Sequence, residues 1–426
     1  MRIAVIGGGV AGLYAAWHLA KHFEVTLLEK HGRIGGHTDT HVVEVDAAVG
    51  PVSIDTGFIV FNHDHYPLFS DWLDRLGVAS RESDMSFGMS CQASGLEYNA
   101  TSLNRLFCQR RNLLRPAFLG MVRDILRFYR SAPDLLERLD ESLTLGDWLE
   151  NHSGLGRAFG RDHLVPMAAA LWSSPADRII DFPMVYLLEF MQNHNMLQVA
   201  GRPQWRTISG GSQRYVEAAL ERFEGRVITG CQVTAVQRRA GGNVRVTTPH
   251  TEMEFDQLVM ACHADQALEL LDRPSNPERE VLGAFEYQAN ETVLHTDRTR
   301  LPANRRAWAS WNVRRDGDAS ELAGISYYMN ALQGLPGETD YIVSLNQTGR
   351  IDPARMLVRR DYRHPVYTPA SRRAQQRLAE INGVDRIWYA GACWGWGFHE
   401  DAVASAARVV NKITDTGADP GVCHAA

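Results

Sequence analysis

Three glycines near the N-terminus have a spacing that suits a nucleotide pyrophosphate, Gly7-x-Gly9-x-x-Gly12. They follow the apolar run 2–6 and precede a helical pattern, so they form the turn of a strand–turn–helix unit. In such a unit the first glycine permits the tight turn, the second lets the backbone approach a pyrophosphate, and the third allows close helix packing. Glu29 ends a second strand 20 residues after Gly9, where its carboxylate can accept hydrogen bonds from a ribose. The unit predicts a dinucleotide site without separating NAD from FAD.

A second glycine-containing segment, residues 30–38, carries an arginine. Arginine pairs with phosphate oxygens, and paired glycines let a chain run against a ligand. The segment resembles the RxGGR signature of the superfamily of amine oxidases, protoporphyrinogen oxidases and phytoene desaturases, in which these residues wrap the ribose and pyrophosphate of FAD. Here Arg33, Gly35 and Gly36 match the signature, whereas His37 stands where a second arginine is usual.

The resemblance extends along the chain in the family's order of motifs. Matching segments are 54–62, 205–220, 255–264 and 386–410. In the family, a valine at the position of Val233 meets the adenine through its backbone. A helix N-terminus near His399 would face the flavin pyrimidine and stabilise negative charge on the reduced ring. Gly391 fits the last motif, but Ala392 stands where an acidic residue commonly holds the ribityl chain.

More narrowly, the chain is similar to a bacterial branch of predicted NAD/FAD-binding proteins that are associated with modified fatty-acyl chains. The resemblance implies an amine-oxidase-like α/β fold, in which a Rossmann-like FAD-binding domain of the glutathione-reductase type is interleaved with an α+β substrate domain. It also implies FAD as a non-covalent cofactor, although Cys393 lies near the last motif. The residues expected to contact FAD are Gly7, Gly9, Val10, Ala11, Gly12, Glu29, Lys30, Arg33, Gly35, Gly36, His37, Thr38, Phe58, Val233, Gly391, Phe398, His399 and Ala402.

The order of motifs divides the chain between two interleaved domains. We expect the FAD-binding domain to comprise 1–70, 205–270 and 384–420, the substrate domain to comprise 71–204 and 271–383, and 421–426 to be a tail. Apolar residues at helical spacing in 116–139 indicate that the first substrate-domain segment is helical. Strand-like runs at 291–297, 324–330 and 341–346 indicate that the second segment contributes a sheet.

The chain has only three lysines, Lys21, Lys30 and Lys412. In many amine oxidases of this superfamily a lysine holds a water at flavin N5, and the corresponding strand here would be 291–297. No lysine falls in that strand. This favours carbon–carbon desaturation of an apolar, fatty-acyl or lipid-like substrate, with hydride transfer to N5, over oxidation of simple amines. His295 could replace the lysine, although histidines in strands are commonly structural.

Two further catalytic candidates are Tyr66, which follows the flavin-facing strand, and His399. No second nucleotide-binding glycine motif follows the first, so we expect substrate to reduce FAD directly and oxygen or a quinone to reoxidise it. Aromatic residues concentrate near the predicted flavin. Many of them could pack in the protein core or contact a ligand, and the sequence does not separate these roles. The predicted substrate-pocket residues are Asn62, Tyr66, Trp172, His194, Trp205, Trp394 and Trp396.

Charge and cysteine content limit the other partners. Residues 103–130 hold seven arginines against one acid, Asp124, with leucines and phenylalanines between them; such a stretch could lie on an anionic membrane or form a solvated helix face. A net charge of −6 gives no reason to expect nucleic acid. The six scattered cysteines lack metal-ligand spacing and are expected to be reduced thiols. With no signal-peptide pattern or long apolar run, we expect a cytoplasmic protein with, at most, peripheral membrane contact.

Other functions remain open at this point. One is an amine oxidase that works without the usual lysine. The same fold also serves prenyl-lipid-binding escort proteins without redox chemistry, and flavin isomerases. The intact glycine motif with Glu29 and Arg33 argues against loss of FAD.

Overall fold

The computed structural model describes residues 1–172, 176–315 and 324–417, and the predicted tail, 421–426, lies outside the described residues, as does Cys423. The strands are β1 Arg2–Ile6, β2 Glu24–Leu28, β3 Thr40–Val43, β4 Val52–Asp55, β5 Ser80–Glu82, β6 Phe87–Cys91, β7 Leu96–Asn99, β8 Arg206–Ile208, β9 Arg226–Ile228, β10 Ala235–Arg238, β11 Val244–Thr247, β12 Glu252–Phe255, β13 Gln257–Met260, β14 Glu286–His295, β15 Trp311–Arg315, β16 Gly324–Tyr328, β17 Ile342–Leu345, β18 Met356–Val366 and β19 Ile387–Tyr389.

The helices connect and cover these strands. The α-helices are α1 Val10–Leu19, α2 Pro67–Leu76, α3 Leu103–Leu106, α4 Pro116–Leu136, α5 Leu145–Asp147, α6 Arg157–Phe159, α7 Val165–Leu171, α8 Ala176–Ile179, α9 Met184–Asn193, α10 Gln213–Glu221, α11 Ala264–Leu270, α12 Asn276–Leu282, α13 Met329–Gln333, α14 Pro369–Gln376 and α15 His399–Gly417. Short 3₁₀ helices span Arg110–Leu114, Arg298–Arg300, Arg305–Ala307, Thr348–Arg350, Pro353–Arg355, Leu378–Glu380, Val384–Arg386 and Ala392–Trp394, and π-helical turns span Trp148–His152 and Gly160–Leu164.

A five-stranded parallel sheet forms the first domain, in the order β19–β13–β1–β2–β9. In its central strand Ile3, Ala4 and Val5 are fully buried, as expected for a parallel strand that is covered on both faces. Helices α1 and α15 pack together on one face, and the three-stranded sheet β10–β11–β12 contributes Val236 and Val244 to the core on the other. The strands come from three separate stretches of the chain, so this domain is interleaved with the second.

Two of the N-terminal glycines are required by close packing within this domain. A Cβ at Gly12 would lie 1.9 Å from the carbonyl oxygen of Gly7. Gly7 itself has a φ of +105°, and a Cβ there would lie 2.7 Å from the carbonyl oxygen of Ala261. A larger residue at Gly12 would therefore separate α1 from the turn after β1, as the glycine spacing predicts, and one at Gly7 would collide with the residue that follows β13.

A seven-stranded mixed sheet forms the second domain, in the order β18–β14–β17–β16–β15–β6–β7. The predicted strand-like runs lie in β14, β16 and β17 and the residues that adjoin them. The helical prediction for the first substrate-domain segment was incomplete, because this segment also supplies β6 and β7. Strand β6 pairs in parallel with the distant β15, so tertiary context, which a local pattern does not contain, makes it a strand.

Helices α4 to α9 form a layer with its own core, which includes Phe128, Trp148, Phe159 and Phe190. The helix predicted over 116–139 is confirmed by α4, which has Pro116 in its first turn, where a missing N–H costs nothing. Within the described ranges, no helix combines the length and the apolar character that crossing a bilayer requires.

Candidate active site

The turn between β1 and α1 leaves open space beside Gly9. This glycine is the N-cap of α1, and no side chain caps the helix. A Cβ added at Gly9 would meet no described atom within 4 Å, and one at Gly36 would lie 3.0 Å from the Gly9 Cα. The two predicted glycine segments therefore meet at the positive end of a helix dipole, where Val10 and Ala11 supply first-turn amides. This arrangement has the space and the donors that a pyrophosphate needs.

Glu29 lies at the end of β2, where the sequence predicts a ribose contact. It is buried, and its Oε2 accepts the Gly8 N–H at 2.7 Å while its Oε1 accepts the His31 N–H at 2.9 Å. A carboxylate has about four acceptor positions, so hydroxyl donors can still be accepted. The backbone of Glu29 also accepts the Cys231 N–H at 2.8 Å, which brings the loop that carries Val233 close to this carboxylate. The adjoining Lys30 is exposed.

Arg33 holds the second glycine segment in shape. Its guanidinium donates to the carbonyl oxygens of Thr38 and Gly36, each at 2.8 Å. It also forms an ion pair of 3.1 Å with Asp39. In this structure the arginine therefore stabilises the loop that places Gly35 and Gly36 beside Gly9.

Three histidines lie together at the end of the second glycine segment, His37, His263 and His364. The ring centroid of His37 is 6.1 Å from that of His263 and 5.1 Å from that of His364. Burial lowers the pKa of His263 and of His364 to about 3, so both rings are neutral near pH 7. Nε2 of His37 and Nδ1 of His263 are buried without a hydrogen-bond partner among the described residues. Unpaired buried polar atoms are costly in a folded protein, and a hydrogen bond from a bound ligand would satisfy them.

The C-terminal motif joins β19 to α15. Gly391 follows β19, and its N–H donates to the Ser405 hydroxyl at 2.9 Å. Ala402 is buried in the first turn of α15 and donates its N–H to the carbonyl oxygen of Phe398 at 3.2 Å. The helix therefore begins at His399, directly after Phe398, at the edge of a cavity.

This cavity has a volume of about 400 Å³ and lies between the two domains. The first domain contributes Phe58 and His399, the seven-stranded sheet contributes Thr292 and Tyr327, and the helical layer contributes Phe190. The predicted residues that line it are His37, Phe58, Tyr66, Trp172, His194, Trp205, Trp396, Phe398 and His399. The size and the largely apolar lining are those of a small-molecule site.

Stacked aromatic rings form one wall of the cavity. The rings of Phe190 and Phe398 stack with centroids 4.9 Å apart. Trp172 donates its indole N–H to the carbonyl oxygen of Trp396 at 3.1 Å, and Tyr186 donates its hydroxyl to the carbonyl oxygen of Gly395 at 2.5 Å. These hydrogen bonds hold the glycine-rich loop before α15, so Trp396 and Phe398 are fixed against the cavity.

His399 is held as a neutral ring. It stacks on Phe58 with centroids 3.5 Å apart. Its Nε2 lies 3.2 Å from the Thr38 hydroxyl and 3.3 Å from the Tyr215 hydroxyl. Burial lowers the pKa of His399 well below its usual range. The ring is therefore tied into the FAD domain by its Nε2, which makes it a poor proton carrier.

The structure places three of the predicted residues outside the cavity lining. His295 lies on the β14 face opposite to Thr292, since side chains alternate along a strand, and its Nε2 lies 2.8 Å from the Ser344 hydroxyl. Asn62 is fully buried and its Oδ1 accepts the His65 N–H at 2.8 Å. Trp394 packs edge-on against Phe285, with ring centroids 5.0 Å apart, in the core of the first domain. All three positions are structural here.

Several lining residues were not among those predicted. They are Arg202, Thr292, Tyr327, Tyr362 and His364. The period-two alternation of the predicted strand 291–297 could have identified Thr292 in place of His295. No local signal marks Arg202 or His364, because each meets the cavity through contacts between distant segments.

His194 was predicted as a pocket residue, and its hydrogen bond shows which of its ring nitrogens carries the proton. Its Nδ1 lies 3.0 Å from the carbonyl oxygen of Phe190. A carbonyl only accepts, so Nδ1 carries the proton and Nε2 is left as an acceptor. Burial lowers the pKa of His194 to about 4, so this acceptor is available at neutral pH.

The chain belongs to the flavin containing amine oxidoreductase family, whose sequence profile matches residues 10–334, well over half of its length. This assignment confirms the resemblance seen in the motifs and supports FAD as the cofactor. The residues described above fit that cofactor, because Gly9 has open space beside it, Gly36 approaches Gly9, and the buried Glu29 carboxylate accepts the N–H of the neighbouring Gly8.

Individual relatives agree with this assignment. The chain is similar to the FAD-dependent oxidoreductase dpasF of Apiospora sacchari, at 24% identity over 257 residues, which cover 58% of this chain and 50% of that protein. It is also similar to the flavin-dependent L-tryptophan oxidase RebO of Lentzea aerocolonigenes, at 26% identity over 266 residues, which cover 56% and 52%. The chain thus matches about half the length of these curated relatives.

A solved structure shares the whole fold. The CLA-producing fatty acid isomerase from P. acnes superposes with a TM-score of 0.69 at 15% identity, covering 96% of this chain and 98% of that chain. At this identity the likeness establishes the fold alone. The predicted α/β class, with a Rossmann-type FAD domain, is confirmed.

Proposed function

We propose that this protein is an FAD-dependent oxidoreductase of the desaturase or dehydrogenase type, which acts on an apolar, fatty-acyl or lipid-like substrate. The observation that carries the proposal is the composition of the cavity wall. Among the described residues that line the cavity there is no lysine, aspartate or glutamate, and aromatic and aliphatic side chains predominate. A long apolar chain would be bound by burial of its surface, which contributes about 25 cal/mol per Å².

The same composition argues against a simple amine as substrate. A buried ammonium group is commonly paired with a carboxylate, and the described lining offers none. The strand expected to carry the amine-oxidase lysine presents Thr292 to the cavity instead. A threonine hydroxyl can hold a water, but it brings no positive charge.

When bound, FAD would supply the acceptor for the hydride of a substrate C–H bond, with oxygen or a quinone as the final acceptor of the two electrons. The chain's own residues would position the substrate and exclude water. Phe190, Phe398 and Trp172 form a rigid apolar wall that limits how the acyl chain can lie. The free Nε2 of His194 would accept the proton that leaves the adjacent carbon. Orientation of this kind lowers the barrier in addition to the proton transfer to His194.

Anaerobic mixing of the purified holoenzyme with single compounds tests the proposal. The panel would contain oleate, methyl oleate, a series of primary amines and polyamines, and L-tryptophan. We expect an acyl compound to bleach the flavin absorbance and to lose two hydrogens, as measured by mass spectrometry. Bleaching by amines or L-tryptophan alone would overturn the proposal.

A flavin-dependent isomerase of fatty acids is the second candidate. It is favoured by the fold shared with a fatty acid isomerase and by the same apolar cavity. An isomerase would convert the acyl compound to a product of unchanged mass, without net bleaching of the flavin. The mass of the product therefore separates the two candidates.

A further inference from the structure

We infer that Arg202 binds an anionic head group of the substrate, so that the substrate is an apolar carboxylic acid rather than a neutral lipid or an amine. This inference rests on the proposed function, because it concerns the same cavity. Arg202 is the one arginine or lysine among the described residues that line the cavity, and that lining contains no acidic residue to neutralise it.

The other ionisable groups of the lining do not supply a positive charge. Four histidines line the cavity, His37, His194, His364 and His399. Burial lowers the pKa of each of them. The side chain of Arg202 is thus the single formal charge that a bound molecule would meet near pH 7, and an anion would be attracted to it.

The contacts of Arg202 leave donors for a ligand. It lies between α9 and β8, and its Nε donates to the carbonyl oxygen of Gln198 at 3.0 Å. Its guanidinium also hydrogen-bonds the hydroxyl of Tyr129 on α4. A guanidinium has five N–H donors, so a carboxylate can be bound by those that remain. The residue is exposed, which places the head group at the cavity mouth and the apolar chain inside.

Binding measurements on the holoenzyme test this inference without relying on turnover. Oleate and methyl oleate have the same chain and differ in the charge of the head group. Their Kd values would be measured from perturbation of the flavin spectrum in three proteins, the wild type, Arg202→Gln and Arg202→Lys. Arg214→Gln is the matched control, because Arg214 is an exposed arginine on α10 outside the cavity lining.

We expect the wild type to bind oleate about tenfold more tightly than the methyl ester, in line with a charge-assisted hydrogen bond. The Arg202→Gln variant should lose this preference, Arg202→Lys should keep part of it, and Arg214→Gln should keep all of it. Equal Kd values for acid and ester in the wild type would overturn the inference while leaving the proposed function intact. Failure of both compounds to bind would overturn the inference and the proposed function together.

A separate observation concerns the outer surface near α3 and the 3₁₀ helix Arg110–Leu114. Large apolar side chains are exposed there, with Leu103 75%, Leu113 49% and Leu114 86% accessible. Exposed arginines adjoin them, and we call this set, Leu103, Arg105, Arg110, Arg111, Leu113 and Leu114, the arginine–leucine surface. We propose that this surface docks on an anionic lipid bilayer.

Charge and shape together favour a bilayer as the partner. Asp124, the one acid of 103–130, is buried and paired with Arg123 and Arg127, so it does not offset the arginine–leucine surface. The turn Arg305–Ala307 packs against α3 and adds the exposed Arg306 from a distant part of the chain. Leucines that project beside arginines suit the headgroup boundary, where apolar side chains insert and cations meet lipid phosphates.

Co-sedimentation with vesicles tests the membrane proposal. We expect binding to vesicles of phosphatidylcholine and phosphatidylglycerol at a 7:3 ratio (about 30% anionic lipid, enough for a negative surface potential) and little binding to phosphatidylcholine alone. Leu113→Ser with Leu114→Ser, or Arg110→Gln with Arg111→Gln, should lower the bound fraction at least about threefold. The controls are Val42→Ser, whose side chain is 70% accessible on β3, and Arg239→Gln at an exposed position beyond β10.

Three results would overturn the proposal. The first is equal binding to neutral and anionic vesicles, and the second is binding to neither. The third is binding of a single-stranded RNA that the same variants abolish, which would assign the surface to nucleic acid.

Discussion

Gln333 hydrogen-bonds both the side chain and the backbone of Asp55. Its Nε2 donates to Oδ2 of Asp55 at 2.8 Å, and its Oε1 accepts the Asp55 N–H at 2.9 Å. The same buried carboxylate accepts the N–H of Ser212, just before α10, at 2.9 Å. One acidic side chain therefore connects β4, the start of α10 and α13. It lies next in sequence to Thr56 and close to Phe58, and both of these residues line the cavity.

The first prediction concerns the pH dependence of stability that Asp55 contributes. Burial raises the pKa of Asp55 to about 6, although hydrogen bonds from Thr40 and Ser212 act in the opposite direction. Because the pKa is higher in the folded than in the unfolded chain, the stabilising contribution is complete below the unfolded pKa of 3.8 and is lost as the pH rises through about 6. Across this pH range, the contribution of Asp55 to the free energy of unfolding changes by roughly 3 kcal/mol at most.

Thermal unfolding of the wild type and of Asp55→Asn at pH 5, 6 and 7 measures this contribution. The variant should be less stable at pH 5, because an amide group would face the donors of Thr40 and Ser212, and the difference should shrink toward pH 7. Asp71→Asn is the control, since Asp71 is exposed on α2. Parallel pH curves for the wild type and Asp55→Asn would contradict the prediction.

The second prediction separates the roles of two glycines. A Cβ added at Gly9 would meet no described atom within 4 Å, whereas one at Gly12 would lie 1.9 Å from the Gly7 carbonyl oxygen. Gly9→Val should therefore fold and lose FAD, with occupancy lowered at least about tenfold, since the side chain fills the pyrophosphate space. Gly12→Val should fail to fold. Flavin absorbance per folded protein measures the first effect, and near-normal occupancy in Gly9→Val would refute the placement of FAD.

The third prediction concerns the histidine that replaces the family's arginine. The unpaired Nε2 of His37 should hydrogen-bond the bound cofactor, so His37→Ala should weaken FAD binding by about tenfold, the worth of one hydrogen bond to a charged group. Titration of the apoprotein with FAD, followed by flavin fluorescence, gives the Kd. His22→Ala provides the comparison, because His22 is exposed at the end of the first helical segment. An unchanged Kd in His37→Ala would show that His37 only packs.

Much of the strand–turn–helix unit at the N-terminus could be predicted from the sequence, because its residues lie close together along the chain. Gly7, Gly9 and Gly12 share one turn, and Glu29 and Arg33 belong to the next strand and loop. Each has a local physical reason to be where it is, such as a carbonyl oxygen 1.9 Å from a Cβ at Gly12. In this unit, residues that are close in the sequence are therefore also close in the structure.

The substrate cavity was harder to predict because its walls come from segments far apart. Trp394 and Trp396 are two residues apart in one loop, yet the first packs in the FAD-domain core and the second lines the cavity. The loop has no regular period, so the sequence does not indicate which side chain faces inward. Arg202 lies near the cavity through tertiary contacts with α4, which no motif encodes.

The last prediction tests His194 as the proton acceptor of the proposed reaction. Its Nδ1 is committed to the Phe190 carbonyl oxygen, so only Nε2 can take a proton from substrate. Replacing His194 by glutamine, which fills similar space without a basic nitrogen, should lower kcat by about 100-fold with FAD occupancy unchanged. His65→Gln is the matched control, because the His65 ring stacks on His194 at 4.8 Å but lies outside the cavity lining. Since burial lowers the pKa of His194 to about 4, wild-type kcat should stay level as the pH falls from 8 to about 5 and decline only when the ring becomes protonated. A decline centred near pH 6.5, or a His194→Gln enzyme as fast as the wild type, would exclude His194 as the base.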